Sequence, residues 1–441
     1  MIPVFLSCET SDDLGVQYRL DSDSNVTYVE FTLPATNIYL DSLRTDGEGV
    51  VLAGTYNDNF GGTLSAEGYF DFTFNRGPLP RAPQTKDTNP EDTLKFDSIA
   101  IVLEIAASLP DVGDAYRGFE FFELRNSLIS SAVYLSSLTQ EKGDRIGVFE
   151  QNASMVLDTI IRVKLADSYG QKLFNQLSET AFDTTRFIIS EEFSPLGIVS
   201  NGSSSLSAFD LISDTSRLII YSSPIENPDT VYQTSFRFSN PLTGGSTKNY
   251  SMLDRSDVTI ETIDNNDLGL LNDRLIIDPV YGVTTSISLD PLQDFFEENE
   301  NIIINNAALS LEFENENFRD TLENFFGFYR RENGIFGPGV LRNSFAHVLI
   351  SDNGYLRGAA SPVVSTLTND KKSLSIGTTL FLQTLYRNFQ DNGGLSVENP
   401  LNGEFLDASE IAFVSQNDLT LQRIIFRPDG IKLRIYYTEV N

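Results

Sequence analysis

The sequence predicts an all-β fold, mainly antiparallel β-sandwich structure with a few short helices. Two observations support this prediction. Short apolar runs alternate with period two or form buried stretches, and Gly, Asn, Asp and Pro separate them. Only four stretches place apolar residues at the three- and four-residue spacing of a helix. Strands should therefore form the body of the protein, with helices packed over them.

Strands are predicted wherever the apolar residues alternate or run together. The segment 431–438 is the clearest, because Ile431, Leu433 and Ile435 face one side while Lys432 and Arg434 face the other. This pattern is typical of a half-exposed strand. The other predicted strands are 28–33, 68–74, 97–105, 216–222, 307–313 and 347–351.

The predicted helices are short. In the last of them, we expect Leu380, Leu382, Leu385 and Phe389 to dock on a sheet. The four predicted helices are 169–177, 290–298, 318–328 and 376–389.

The chain is long enough for more than one domain. Three segments that begin at residues 95, 216 and 305 are similar, and each resembles the opening strand of a jelly-roll sandwich. We therefore predict two jelly-roll-like sandwich domains. The first is placed at 26–240 and the second, with the accessory helices, at 241–441, because the Pro- and Gly-containing segment 239–246 suits a boundary.

The composition excludes several classes of function. Acidic residues outnumber basic ones by 62 to 31, and the formal net charge of −31 repels nucleic acid, which we exclude as a partner. One cysteine and one histidine in 441 residues cannot supply a structural zinc site. We predict neither a metal nor a cofactor.

Cys8, the single cysteine, follows the apolar stretch 3–7 and precedes an acidic segment. This arrangement resembles the end of a bacterial lipoprotein signal peptide, where the cysteine is acylated and becomes the new N-terminus. Residues 1–25 would then be a signal remnant and an acidic, flexible tether. A signal peptide also needs a basic region and a longer apolar region, so this interpretation requires a start upstream of Met1. The alternative is a lone thiol near the terminus.

Catalytic candidates are few. The single histidine, His347, lies in a predicted strand, where a structural role is favoured over that of a general base or metal ligand. No serine stands in the G-x-S-x-G pattern of a nucleophile elbow. Acid pairs such as Glu120 with Glu123, and Glu314 with Glu316, are expected to be solvated or capping residues. We therefore predict no catalytic residue and no enzymatic activity.

Two further motifs are incomplete. The segment 21–25 begins like a calcium loop but has Val26 and Thr32 where Gly and Glu are required. The segment 244–248 holds the residues of a phosphate-binding loop in the wrong order, so a turn is predicted there.

Four stretches carry a resemblance to a known family. They are the segment 55–63 (Thr-Tyr-Asn-Asp-Asn-Phe-Gly-Gly-Thr), the segment beginning Phe96-Asp97-Ser98-Ile99, the segment 119–137 ending Tyr-Leu-Ser-Ser, and the closing segments 423–426 and 431–438. Together they resemble the Bacteroidota domain-of-unknown-function family 4270. The resemblance implies a largely β outer-membrane lipoprotein with no assigned activity. Ser11, Asp12 and Asp13 also resemble the acidic signal that sends lipoproteins to the cell surface in Flavobacteriia, with an ordinary solvated linker as the alternative.

The sequence thus predicts a surface-facing outer-membrane lipoprotein, anchored through Cys8, that acts as a structural or protein-binding module. Its expected partners are the outer membrane and an outer-membrane β-barrel or neighbouring surface protein. Two alternatives stay open. They are a carboxylate-based carbohydrate-active enzyme and a phage or virion structural protein.

Overall fold

The structure of the protein, a computed structural model, describes most of the chain from Val26 onward. The described residues are 26–40, 45–46, 49–58, 61–74, 94–109, 116–128, 134–151, 159–179, 193–225, 228–238, 248–258, 260, 267–314, 326–330, 366–367, 373–398, 405–415, 421 and 423–440. The predicted strand 347–351 lies outside them.

The largest sheet has twelve strands and curls into a half-barrel. Its longest strand carries a continuous buried run, residues 99–103, because neighbouring strands flank it on both edges and side chains cover it. The strands of this large sheet are β3 (Val50–Asp58), β4 (Gly62–Phe70), β5 (Thr73–Phe74), β6 (Leu94–Leu109), β7 (Arg117–Leu124), β8 (Lys142–Gln151), β9 (Ile160–Lys164), β10 (Leu196–Ser200), β11 (Leu206–Asp210), β12 (Arg217–Pro224), β13 (Tyr232–Arg237) and β14 (Asn249–Val258).

A second sheet joins the two ends of the described chain and is called the terminal sheet. Its strands run in the order β1-β25-β18-β21-β20, and β16 also pairs with β25. They are β1 (Val26–Thr32), β16 (Leu275–Ile277), β18 (Ile302–Phe313), β20 (Thr366–Leu367), β21 (Ser373–Gly377) and β25 (Ile424–Glu439).

A third sheet of five strands and one hairpin complete the β structure. The third sheet contains β2 (Ala35–Tyr39), β15 (Asp267–Gly269), β17 (Val283–Ser288), β19 (Phe326–Arg330) and β24 (Glu410–Ser415). The hairpin consists of β22 (Ser396–Glu398) and β23 (Phe405–Asp407). Every pairing between the strands named here is antiparallel, so the predicted all-β class with antiparallel sandwich sheets is confirmed.

Three helices lie within the described residues, α1 (Asp167–Glu179), α2 (Asp290–Glu298) and α3 (Thr379–Asn392). All three overlap a predicted helix, and α2 has the predicted bounds. The prediction was wrong at two places. Residues 326–328 of the predicted helix 318–328 belong to strand β19, and Ile376 lies in strand β21 rather than beginning a helix. In both cases pairing with a distant strand overrides the local helical spacing.

Leu380 also differs from the prediction, because its side chain is 39% exposed while Phe381 takes the buried position beside Leu382, Leu385 and Phe389. The predicted docking face is therefore confirmed at Leu382, Leu385 and Phe389, and Leu380 alone lies off it.

The three largest apolar cores among the described residues lie within and between the sheets. One lies inside the large sheet and includes the buried face of α1. A second lies between the terminal sheet, the third sheet and the helices α2 and α3. A third core joins the large sheet to the other two, because it unites Leu52 and Leu64 of the large sheet with Leu268, Ile276 and Tyr281.

Strand pairing does not follow the predicted division at 240/241. Strand β1 pairs with β25 from Val26↔Thr438 to Thr32↔Lys432, and β2 pairs with β15 and β17. Strand β14, from the C-terminal half of the chain, pairs with β4 of the N-terminal half along most of its length. Strands β1 and β2 thus belong to sheets formed mostly by the C-terminal half of the chain, and β14 belongs to the large sheet.

Candidate functional site

The site residues predicted from the sequence lie outside the described residues. This applies to the anchor Cys8, to the export-signal residues Ser11, Asp12 and Asp13, and to His347. The calcium-like segment 21–25 and residues 244–247 of the phosphate-loop-like segment also lie outside. These assignments stay predictions.

Three of the four acids in the predicted pairs are ion-paired, and the fourth, Glu316, lies outside the described residues. Glu120 is bound to Arg145 at 2.6 Å, Glu123 is bound to Lys172, and Glu314 is bound to Arg274 at 2.6 Å. Each of these acids is therefore one half of an ion pair between neighbouring elements, and none acts as a helix cap. Within the described ranges, no group of three His, Cys, Asp or Glu residues could hold a metal ion. No helix among the described residues is long and apolar enough to cross a membrane.

A groove of about 570 Å³ runs between helix α3 and the beginning of strand β18. One wall is formed by β18 and the residues before it, and the other by the exposed side of α3. Its lining consists of Glu300, Asn301, Ile302, Ile303, Ile304, Gln383, Tyr386, Arg387, Gln390, Asp391 and Val440.

Helix α3 is held to the free edge of β18 by polar side chains at helical spacing. The Tyr386 hydroxyl accepts a hydrogen bond from the Ile302 N–H at 3.2 Å and donates one to the Asn299 carbonyl at 3.1 Å. The Gln383 amide donates to the Ile304 carbonyl at 2.7 Å. These bonds satisfy backbone groups of β18 where β21 no longer pairs with it, and they fix the width of the groove.

Thr379 continues the same row one turn earlier on the helix. Its hydroxyl accepts a hydrogen bond from the Ala307 N–H at 2.9 Å. The row Thr379, Gln383, Tyr386 was missed at the level of the sequence. The sequence did contain a signal for this row, because polar residues recur at four- and three-residue spacing along a helix that the sequence predicts.

The groove lies where two helix C-termini meet. Phe296 of α2 packs against Tyr386 and Phe389 of α3, with ring centroids 5.2 and 5.7 Å apart, so the last turns of both helices are neighbours. Neither helix has a basic residue in its last turn. Both therefore present the negative end of the helix dipole to this region.

Acidic side chains add to that negative field. Glu297 and Glu298 occupy the last turn of α2, Glu300 follows it, and Asp391 occupies the last turn of α3. An acid in this position destabilises a helix by about 0.3–1 kcal/mol, so the arrangement does not serve the fold. Arg387 is the one basic residue of the lining, and the groove region is acidic overall.

The solvent face of the terminal sheet carries a second feature next to this groove. Tyr28 and Tyr436 lie directly opposite each other, with ring centroids 5.0 Å apart and both rings nearly half exposed. The Tyr28 hydroxyl and the Arg434 guanidinium both donate to Glu30, at 2.9 and 2.8 Å. The bond from Arg434 holds the pKa of Glu30 below its usual range, and the bond to Glu30 raises the pKa of Tyr28.

The first stretch of the family resemblance has a structural role. Gly61 precedes β4 and Gly62 begins it, and Gly62 has a φ of +82°, which favours glycine. The buried Tyr281 ring lies against Gly61, and its hydroxyl donates to the Gly62 carbonyl at 2.9 Å. The two glycines therefore join the large sheet to the segment that leads into β17.

Tyr134, in the third stretch of the family resemblance (119–137), also has a structural role. The Tyr134 ring stacks on Tyr250 at 4.4 Å, and Tyr250 in turn contacts Tyr69 at 5.0 Å. The Tyr69 hydroxyl donates to Glu67, which is also paired with Lys142 at 2.6 Å. Burial raises the pKa of both Tyr69 and Tyr250, so the cluster is a neutral packing unit.

Comparison of the chain with protein-family models finds no match, and comparison with curated proteins finds none either. The resemblance to the Bacteroidota family therefore stays a prediction.

Proposed function

We propose that the protein is a lipid-anchored module of the outer-membrane surface, without enzymatic activity, that acts as a structural or protein-binding component. The cysteine pattern at Cys8, the acidic signal at residues 11–13 and the resemblance to the Bacteroidota lipoprotein family support the location. The acidic groove beside helix α3 supports binding, and it is the observation on which the proposal depends.

The groove suits a cationic polypeptide segment. Glu300 and Asp391 lie in its lining, and two helix C-termini add a negative field that no basic residue in their last turns offsets. Ile303 and Val440 add apolar surface, with exposed fractions of 53% and 50%. A partner loop with Lys or Arg beside an apolar side chain fits both properties. A surface loop of an outer-membrane β-barrel or of a neighbouring surface protein is the expected source.

Two experiments test the proposal. For the anchor, radiolabelled palmitate should be incorporated into the chain in cells and lost in Cys8→Ser, with unchanged membrane association of that variant as the contrary result. For the groove, cross-linking on intact cells should yield a defined partner. Glu300→Lys combined with Asp391→Lys should abolish the cross-link, whereas Glu410→Lys, on strand β24, should retain it.

A carboxylate-based carbohydrate-active enzyme is the second candidate, because Glu300 and Asp391 line the same groove. Such an enzyme needs one acid to protonate the leaving group and the other to act as nucleophile or base. Hydrolysis of a glycan that Glu300→Gln or Asp391→Asn abolishes would replace the binding proposal with this one.

A further inference from the structure

An uncharged patch occupies the solvent face of the terminal sheet at the end where β1 begins. It consists of Val26, Tyr28, Ile303 and Tyr436 and is called the aromatic patch. Their exposed fractions are 41%, 48%, 53% and 42%. Residues this apolar are rarely left so exposed next to one another in a strongly acidic protein.

Strand register places the four side chains of the aromatic patch close together. Val26 and Ile303 both pair with Thr438, one on each side of β25. In the next row Tyr28 pairs with Tyr436, and their rings are in contact. The four side chains therefore lie in two adjacent rows of three neighbouring strands, with Thr438 between Val26 and Ile303 and with Asn306 beside Tyr436.

Two charged regions border the aromatic patch. On the β18 side lies the acidic groove, whose lining includes Ile303, and on the side of β1 and β25 the charges are balanced. The row after the tyrosines holds Glu30 and Arg434, which form an ion pair at 2.8 Å. A tyrosine has an apolar ring and a polar hydroxyl, and tyrosines are enriched where membrane proteins meet the lipid headgroups. The chemistry of the aromatic patch therefore matches the interface of a zwitterionic bilayer.

The position of the anchor selects this occupant over a protein surface. The chain from Cys8 enters the fold at Val26, which is itself part of the aromatic patch. The 17 residues 9–25 can span at most about 60 Å, so an acylated Cys8 keeps Val26 within that distance of the bilayer. Because the anchor makes contact between the aromatic patch and the bilayer intramolecular, even a weak contact is favoured.

We infer that the aromatic patch rests on the phospholipid headgroups of the membrane to which Cys8 is anchored. This inference rests on the proposed anchor. The contact orients the terminal sheet with its outer face toward the lipid, and the acidic groove at the edge of β18 then opens along the membrane surface.

The chain offers a direct test because it has no tryptophan and one cysteine. Tyr436→Trp places a single fluorescent reporter in the aromatic patch, and maleimide-bearing lipid couples the purified full chain to phosphatidylcholine vesicles through Cys8. The indole of the lipid-coupled Tyr436→Trp chain should show blue-shifted emission and be quenched by brominated lipid. The matched control is Val231→Trp, beside β13 of the large sheet and 56% exposed in the parent, which should stay unquenched.

A second set of variants reports on the aromatic patch itself. Adding Tyr28→Ser and Ile303→Ser to the Tyr436→Trp chain should lower the ratio of docked to undocked protein at least about tenfold, because exposed apolar area is removed. Unquenched emission from the lipid-coupled Tyr436→Trp chain, or equal quenching of the Val231→Trp control, would overturn the inference.

Chemical coupling of Cys8 to lipid also allows this inference and the proposed function to be tested independently. The chemical anchor replaces acylation, so a failure to incorporate palmitate would refute the natural anchor without altering the vesicle result. Palmitate incorporation together with unquenched emission from the Tyr436→Trp chain would refute the aromatic patch alone.

Discussion

Replacing Gly61 with alanine tests the contact that joins the large sheet to the segment before β17. A Cβ at this position would lie 2.3 Å from Cε1 and 2.4 Å from Cδ1 of Tyr281. The ring is only 1% exposed, and its hydroxyl is bound to the Gly62 carbonyl at 2.9 Å. The Arg423 guanidinium lies 5.5 Å from the ring centroid. The ring therefore has little freedom to move away from the added methyl group.

The expected loss of stability follows from these contacts. Overpacking of a well-packed site costs about 1–3 kcal/mol. Displacement of the ring also weakens the hydroxyl bond, which contributes about 0.5–1.5 kcal/mol. Gly61→Ala should therefore lower the free energy of unfolding by about 2–4 kcal/mol. Tyr281→Leu, which removes the ring and its hydroxyl, should lower it by a similar amount, about 2–4 kcal/mol.

The double variant identifies the contact. Leucine at 281 leaves space for the alanine methyl group, so the two losses should not add, with a coupling energy of at least about 1 kcal/mol. Denaturant unfolding followed by circular dichroism measures all three variants. Gly377→Ala is the matched control, because nothing lies within 4 Å of its added Cβ, and it should leave stability unchanged or slightly raised. A Gly61→Ala chain as stable as this control, or additive losses in the double variant, would refute the reasoning.

Three further predictions concern hydroxyl and carboxyl groups. Tyr386→Phe should lower the free energy of unfolding by about 1–3 kcal/mol, measured by denaturant unfolding, because the Ile302 N–H loses its acceptor; an unchanged midpoint would contradict this. The lowered pKa of Glu30 means that its bond to Arg434 stabilises the fold above the ordinary value of 4.5 and is lost as the pH falls. Glu30→Gln should therefore reduce the melting temperature more at neutral pH than in acid, and an equal reduction at both would count against the ion pair. The raised pKa of Tyr69 means that its stabilising contribution is complete below the ordinary value of 10.0 and is lost as the pH rises. Phenolate absorbance from this residue should appear only together with alkaline unfolding, and reversible titration of every tyrosine in the folded state would disprove the assignment.

Local patterns predicted the elements well but not the candidate site. The helix 290–298 was predicted at its observed bounds, because Leu292, Phe295 and Phe296 recur at helical spacing and are the residues that the fold buries. The groove was not predicted, since it depends on which strand edge meets α3. The acids at the C-terminus of α2 can be read from the sequence. That they belong to an acidic groove becomes evident only when the last turn of α3 is placed beside them.

The wrong helix prediction at 318–328 also results from contacts between distant segments of the chain. Its apolar residues fit a helix locally, yet Phe326 and Phe328 belong to a strand that pairs with β24, nearly a hundred residues further along the chain. Pairing between distant segments decides such cases, because short apolar runs suit a strand or a helix equally well.

The sequence by itself determined the all-β class, the positions of several long strands such as β6, β18 and β25, and the acidic charge, because period-two alternation and composition are local properties of the chain. Only the tertiary structure decided that β1 closes the terminal sheet against β25, with Val26 opposite Thr438. That pairing brings Tyr28 against Tyr436 and sets the end of the aromatic patch beside the acidic groove. Segments about 400 residues apart meet only after the sheets between them have formed, so no local pattern contains their partnership or register.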